Sequence, residues 1–143
     1  MPPVSDIDNG GITHTNNGEY TFNCTTKMSA QYFMIIIKNS GDDGKLYYGS
    51  QMSEIYLKGD VDRITESRGS DITDQVSGID TGATTINGFN SNEGVENIFD
   101  GNRATKLYST SKIPGNIVWK MKQNTTLYSY TITTANDNSK YPN

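Results

Sequence analysis

The stretch "GNIVWKMKQNTTLYSYTITTA", residues 115–135, decides the fold class. In 115–123 Ile117, Trp119 and Met121 fall on every second residue, and in 126–135 apolar and aromatic residues again alternate with Thr and Ser. That period of two belongs to strands with one buried face. The polar "NT" between them reads as a break, so the sequence predicts two adjacent strands, 115–123 and 126–135.

The same reading extends outward. "EYTFNCTT" (19–26) alternates, and "SAQYFMIIIKN" (29–39) is apolar on both faces, which predicts a strand central in a sandwich. "QMSEIYLKG" (51–59) alternates imperfectly, as a bulge or edge would make it. "ITDQVSGI" (72–79) reads as a short strand and "VENIF" (95–99) as a half-turn or short strand. "DVDRITESRGSD" (60–71) is the most hydrophilic segment, lacks periodicity and is the linker candidate. No stretch of ten residues keeps helical spacing. Short strands separated by turn signals predict an all-β antiparallel sandwich or barrel.

Composition agrees. The 143 residues suffice for one ordinary domain, and nine Tyr and fourteen Gly favour strands and turns over helices. With 33% apolar residues and a mean hydropathy of −0.64, the strands are expected to expose one face. The net charge is −4 and the twelve Lys and Arg are scattered, which argues against a nucleic-acid partner. No apolar run approaches the ~20 residues of a membrane span. The opening "MPPVSDIDNGG" has neither the basic nor the apolar region of a signal peptide.

Catalytic chemistry is poorly served. The single Cys24 cannot form an internal disulfide or a Cys-based zinc site, and its alternating context predicts a buried, inert thiol. The one histidine, His14, lies in an Asn-rich loop with nothing resembling a triad around it. Acidic pairs such as Asp71 and Asp74 lie in loops, where solvation is their ordinary role. "DIDNGG" (6–11) lacks the closing Glu and flanking helices of an EF-hand. The chain is therefore expected not to be an enzyme.

"GVENIFDGNRATKLYS" (94–109) is the least generic segment. By local pattern Asp100-Gly101 reads as a tight turn. The same residues also offer a carboxylate, carbonyls and a hydroxyl of the kind Ca²⁺ gathers, about six to eight oxygens at ~2.3–2.6 Å. Such a loop needs a second acid from elsewhere in the chain.

This segment resembles the metal-loop signature of the discoidin, or coagulation-factor type C, family, which includes the family-32 carbohydrate-binding modules. "YSYTITTANDNSKYPN" (128–143) is similar to the strand and loop that follow in that family, and "SEIYLKG" (53–59) to its closing strand. The order is reversed, since Ser53-Glu54-Ile55 precedes Asp100-Gly101-Asn102. The family's Trp-containing strand with its Ser-Asn-Asp-Gly turn has no counterpart, and Leu107 stands where the family often has Trp. Two arrangements accommodate this: one circularly permuted jelly roll over 1–143, with 1–59 and 72–143 joined by the linker 60–71, or two partial tandem modules. The slot of the missing strand would be filled by residues 1–12, by a neighbouring module or a strand-swapped copy, or left open.

The resemblance implies a galactose-binding-domain-like jelly roll with a structural Ca²⁺. Asp100 and Glu54 would supply carboxylates, Thr105 its hydroxyl and carbonyl, and Asn97, Asn102 and Ser53 carbonyls. It also implies a ligand site on loops at one end of the sandwich. The candidates there are Phe89, Tyr108, Tyr47 and Tyr48 as platforms, with Asn90, Asn136, Asp137 and Lys140 as polar partners. The implied role is a non-catalytic adhesion module of a larger secreted, surface or viral-particle protein. Its partner would be a galactose- or hexosamine-type glycan or, alternatively, a protein surface. No loop carries the paired apolar spikes of membrane-binding relatives.

Overall fold

The computed structural model describes residues 16–27, 29–38, 50–61, 70–110 and 114–137. Its elements are the strands β1 (Glu19–Asn23), β2 (Ser29–Ile37), β3 (Ser50–Met52), β4 (Glu54–Val61), β5 (Ser70–Asp71), β6 (Val76–Ile79), β7 (Leu107–Ser109) and β8 (Gly115–Thr133). Two 3₁₀ turns, Thr73–Gln75 and Val95–Phe99, are its helical pieces among the described residues. All strand pairings described are antiparallel, so the all-β expectation holds at the level of class.

The 115–135 stretch is not two strands but one. β8 runs 19 residues and is the spine of a six-stranded sheet. The polar residues at 122–124 do not interrupt it because its neighbours continue past them. Thr125 pairs with Ala30 on one side and Val61 on the other, while Lys120 pairs with Tyr32 and Gly78. The register places β1 and β2 along one side of β8, and β4 followed by β6 along the other. Strands from two stretches of chain, β1, β2 and β4 from the first and β5, β6 and β8 from the second, thus share one sheet. β2 lies to the side of the spine rather than centrally, and among the described residues it pairs with β8 alone. Its Tyr32, Met34 and Ile36 stay exposed, against the expectation from its unbroken apolar run.

β4 runs past the expected strand end at 59 to Val61, which is 2% exposed, and Lys58 and Gly59 pair with β5. Both ends of the expected linker therefore belong to strands; residues 62–69 lie outside the described residues. Gly59 sits where the register shifts, and a Cβ there would stand 2.0 Å from the Thr126 carbonyl oxygen. Only glycine permits that approach.

The core lies between this sheet and a smaller layer, the β3–β7 ribbon with the 95–99 turn. Ile55, Leu57, Ile117, Trp119 and Met121 from the large sheet meet Val95, Ile98 and Leu107 from the small layer. The Trp119 ring lies 6.1 Å from Phe33 and 5.3 Å from Phe99, centroid to centroid. Such aromatic pairs add to the apolar burial. Cys24 is buried and free, and burial pushes its thiol pKa up, as an inert thiol requires.

Candidate functional site

Ser53 is the hinge from which the site is built. The irregular alternation of 51–59 marks the point where the chain leaves the small layer and enters the large sheet: β3 ends at Met52 and β4 begins at Glu54. Ser53 N–H donates to the Thr133 carbonyl (2.9 Å). Its hydroxyl lies 2.8 Å from the Arg103 carbonyl and 2.9 Å from that of Thr105. The turn is thus fastened to the 100–105 loop, and Glu54 is left beneath that loop.

The loop is shaped by its own side chains. Asp100 Oδ1 accepts from Asn102 N–H (2.8 Å), and Asn102 Oδ1 accepts from Ala104 N–H (2.9 Å). Between them Gly101 takes φ +73°, a conformation that favours glycine. The Thr105 hydroxyl lies 2.5 Å from Asp100 Oδ2 and 2.9 Å from the Asn102 carbonyl. The Asp-Gly-Asn turn read from local pattern is therefore present, and it carries the oxygen donors on one side.

Glu54, with no exposed surface, completes the cluster. Its carboxyl oxygens accept from Gly101 N–H (3.2 Å) and Asn102 N–H (3.1 Å). Burial, and then the adjacent Asp100 carboxyl, raise its pKa to about 8. Asp100 moves the other way. Partial burial pushes its pKa up, but hydrogen bonds from Glu54, Thr105 and Asn102 N–H outweigh that and lower it. Two carboxyls in contact thus share one proton, and the opposite shifts place it on Glu54, the buried member of the pair.

The expected metal residues are in this way partly assembled. Glu54, Asp100, Asn102 and Thr105 meet at one point. Ser53 is adjacent, although it is its hydroxyl rather than its carbonyl that is seen anchored. Asn97 lies in the middle of the 95–99 turn, and its carbonyl accepts from Asp100 N–H (3.4 Å). Its side-chain amide donates to the Asn92 and Lys106 carbonyls, both at 2.8 Å. Among the described residues no three His, Cys, Asp or Glu cluster. The donor set here is two carboxylates with a hydroxyl and carbonyls, which fits a hard cation and not a soft one.

Beside the loop lies a recess of about 360 Å³, lined by Ser91, Asn92, Glu93, Thr105, Lys106, Asn136 and Asp137 among others. Lys106 dominates it. Its ammonium contacts both Asp137 carboxylate oxygens at 2.8 Å, the Gln51 amide oxygen at 3.0 Å and Glu93 at 3.8 Å. Of the expected ligand residues, Asn136 and Asp137 line this recess; the Asn136 amide donates to the Ala104 carbonyl (3.2 Å). Tyr108 stands alongside, with Lys106 Nζ 5.8 Å from its ring centre. Phe89 packs against the core and Asn90 sits in the exposed turn that closes on Glu93, so neither lines the recess. Tyr47, Tyr48, Lys140 and His14 lie outside the described residues. Sequence reasoning missed Lys106 and Glu93, since nothing local links Lys106 to an acid at 137.

No protein-family model, curated protein or solved structure matches the chain. No helix among the described residues is long and apolar enough to cross a membrane.

Proposed function

We propose that the chain is a non-catalytic binding module of discoidin type, a jelly-roll sandwich assembled in permuted order. Its 100–105 loop holds a structural Ca²⁺, and the adjoining recess takes a hydroxyl-rich ligand of glycan type. The observation that carries this reading is the seating of Glu54, from one segment, against Asp100, from the other. Seated there, Glu54 accepts from two N–H groups of the loop and gives it a second carboxyl, at which a cation would replace the proton now shared with Asp100.

Glu54, Asp100 and Thr105 would hold the ion through side chains, with carbonyls from Asn97, Asn102 and Ser53. Bound Ca²⁺ supplies the charge that lets both carboxyls ionise. The chain's own part is to tie the loop to β4 and so fix the wall of the recess, which shares Thr105 with the loop. In the recess Asn136, Asp137 and Ser91 offer the polar groups that fix sugar hydroxyls. The module would sit in a larger secreted, surface or viral-particle protein.

One observation favours a second reading, a protein-interaction module of the same fold. None of the residues lining the recess is aromatic, and the Lys106 ammonium is already engaged by Asp137, Gln51 and Glu93. Thermal unfolding with CaCl₂ and with chelator tests the ion: the melting temperature is expected to rise with Ca²⁺, and an unchanged value sinks that part. A glycan array run with Ca²⁺ separates the two readings, with galactose- or hexosamine-type hits expected; an array without hits favours the interaction module.

A further inference from the structure

Thr133 is the last residue of β8. In the sheet it stands opposite Glu54 on one side and opposite Glu19 on the other. Residues directly paired across antiparallel strands place their side chains on the same face, with Cβ atoms about 4.5–5.5 Å apart. Glu19, Thr133 and Glu54 therefore form one rung. The 100–105 loop bridges that rung. Gly101 and Asn102 N–H groups rest on Glu54 at one end, and the Arg103 guanidinium rests on Glu19 at the other. Thr133 lies between those two anchor points, 0% exposed, facing the underside of the loop.

Its hydroxyl has no hydrogen-bond partner among the described residues. The neighbouring Thr134 hydroxyl, in contrast, accepts from Gly18 N–H at 2.9 Å. A buried hydroxyl left unpaired is unfavourable, and valine would fill the same volume without that penalty. The other buried atom in this condition among the described residues, the Trp119 indole nitrogen, lies in the apolar core, whereas Thr133 is paired in the sheet with Glu54, beneath the loop that carries Asp100 and Thr105.

We propose that Thr133 Oγ1 is a further oxygen of the cation site, reaching the cation's coordination shell from the sheet, beneath the loop. Asp100 and Thr105 approach the same ion from the loop. The assignment rests on the Ca²⁺ reading above. It makes the site a clamp between loop and sheet floor, so that binding orders both together.

The test is calorimetric titration with CaCl₂ of the wild type, Thr133→Val, Thr133→Ser and Thr133→Ala, with melting curves in chelator. Thr133→Val is expected to melt in chelator at or above the wild-type temperature, because it removes only an unpaired hydroxyl. Its Ca²⁺ affinity is expected to fall about tenfold, the scale of losses seen when groups around a metal are removed. Thr133→Ser keeps the oxygen and is expected to bind within about twofold of wild type, a range too small to count as a lost ligand. Should the valine variant not fold, Thr133→Ala carries the same expectation for affinity. Wild-type affinity in the valine or alanine variant overturns the role of Thr133 and leaves the cation reading standing. No Ca²⁺ binding by the wild type overturns both.

Discussion

The two ends of β8 treat the outward face of the sheet in opposite ways. At the Thr133 end that face is polar and roofed. The 100–105 loop covers Glu54 and Thr133, and Arg103 ties it down to Glu19 and to the Tyr56 hydroxyl. At the Gly115 end the face is apolar and open. Tyr32, Met34 and Ile36 are 44%, 46% and 51% exposed, and the Lys120 ammonium lies 5.6 Å from the Tyr32 ring. Hydropathy alone would reverse this assignment. The difference shows that burial here follows the supply of covering loop, which local hydrogen bonds shape, and not the apolar content of the strand beneath. Among the described residues the large apolar side chains left exposed are these three of β2.

The largest expected effect breaks the junction between these ends. Gly59→Ala places a methyl 2.0 Å from a backbone oxygen, which must displace β4 from β8. The expected loss is about 3 kcal/mol, at the upper end of ordinary overpacking costs, read from denaturant unfolding. Both ends should loosen together, because the shared strand transmits the shift.

Next in size is the roofed end alone. Glu54→Gln preserves shape while removing the second negative charge. Its response to Ca²⁺ is expected to vanish, forfeiting the ~2–3 kcal/mol that ligand at a hundredfold excess over Kd supplies. In chelator the same variant should be as stable as wild type near pH 5 and more stable than it near pH 8, where wild type must ionise Glu54. A Ca²⁺-dependent rise in its melting temperature equal to wild type would remove Glu54 from the site.

A pH series sharpens the contrast further. Glu54 has its folded pKa raised to about 8, so its contribution to stability is full below the ordinary carboxylate range and is lost as pH rises towards 8. Asp100 is shifted down, so its contribution is present above its unfolded pKa and is lost only on strong acidification. Metal-free protein should therefore lose stability between about pH 5 and pH 8. The Ca²⁺-induced rise in melting temperature should grow over the same window, since the ion competes with the shared proton. An identical Ca²⁺ shift at both pH values would contradict the shared-proton pair.

The smallest effect belongs to the open end. Met34→Thr or Ile36→Thr is expected to change the unfolding free energy by no more than about 0.5 kcal/mol, since little burial is lost. Solubility should rise instead, as measured by light scattering at high concentration.

Much of the fold was legible because its signal is local. Alternation at 115–121 identified a strand by period two, and the turn at Asp100-Gly101-Asn102 follows from residues that hydrogen-bond to their own backbone. Two readings failed for a nonlocal reason. Residues 115–123 and 126–135 read as two strands because 124–125 is polar, yet the β2 and β4 pairings carry the ladder across. The β2 segment read as central because it is apolar throughout, although no sequence rule shows which strand will hold two partners. The site divides in the same way. Asp100, Asn102 and Thr105 were visible as one motif, whereas Thr133 meets Glu54 only through sheet register and Lys106 meets Asp137 only through the packing of two loops.

The sequence by itself determined the class of structure, the strand-forming segments and the shape of the 100–105 loop, because each rests on interactions among residues a few positions apart. The tertiary structure decided which carboxyl faces Asp100, which hydroxyl lies unpaired beneath the loop and which apolar face stays open. Those depend on pairing between segments tens of residues apart, whose closure is set by the whole sheet and not by any stretch within it.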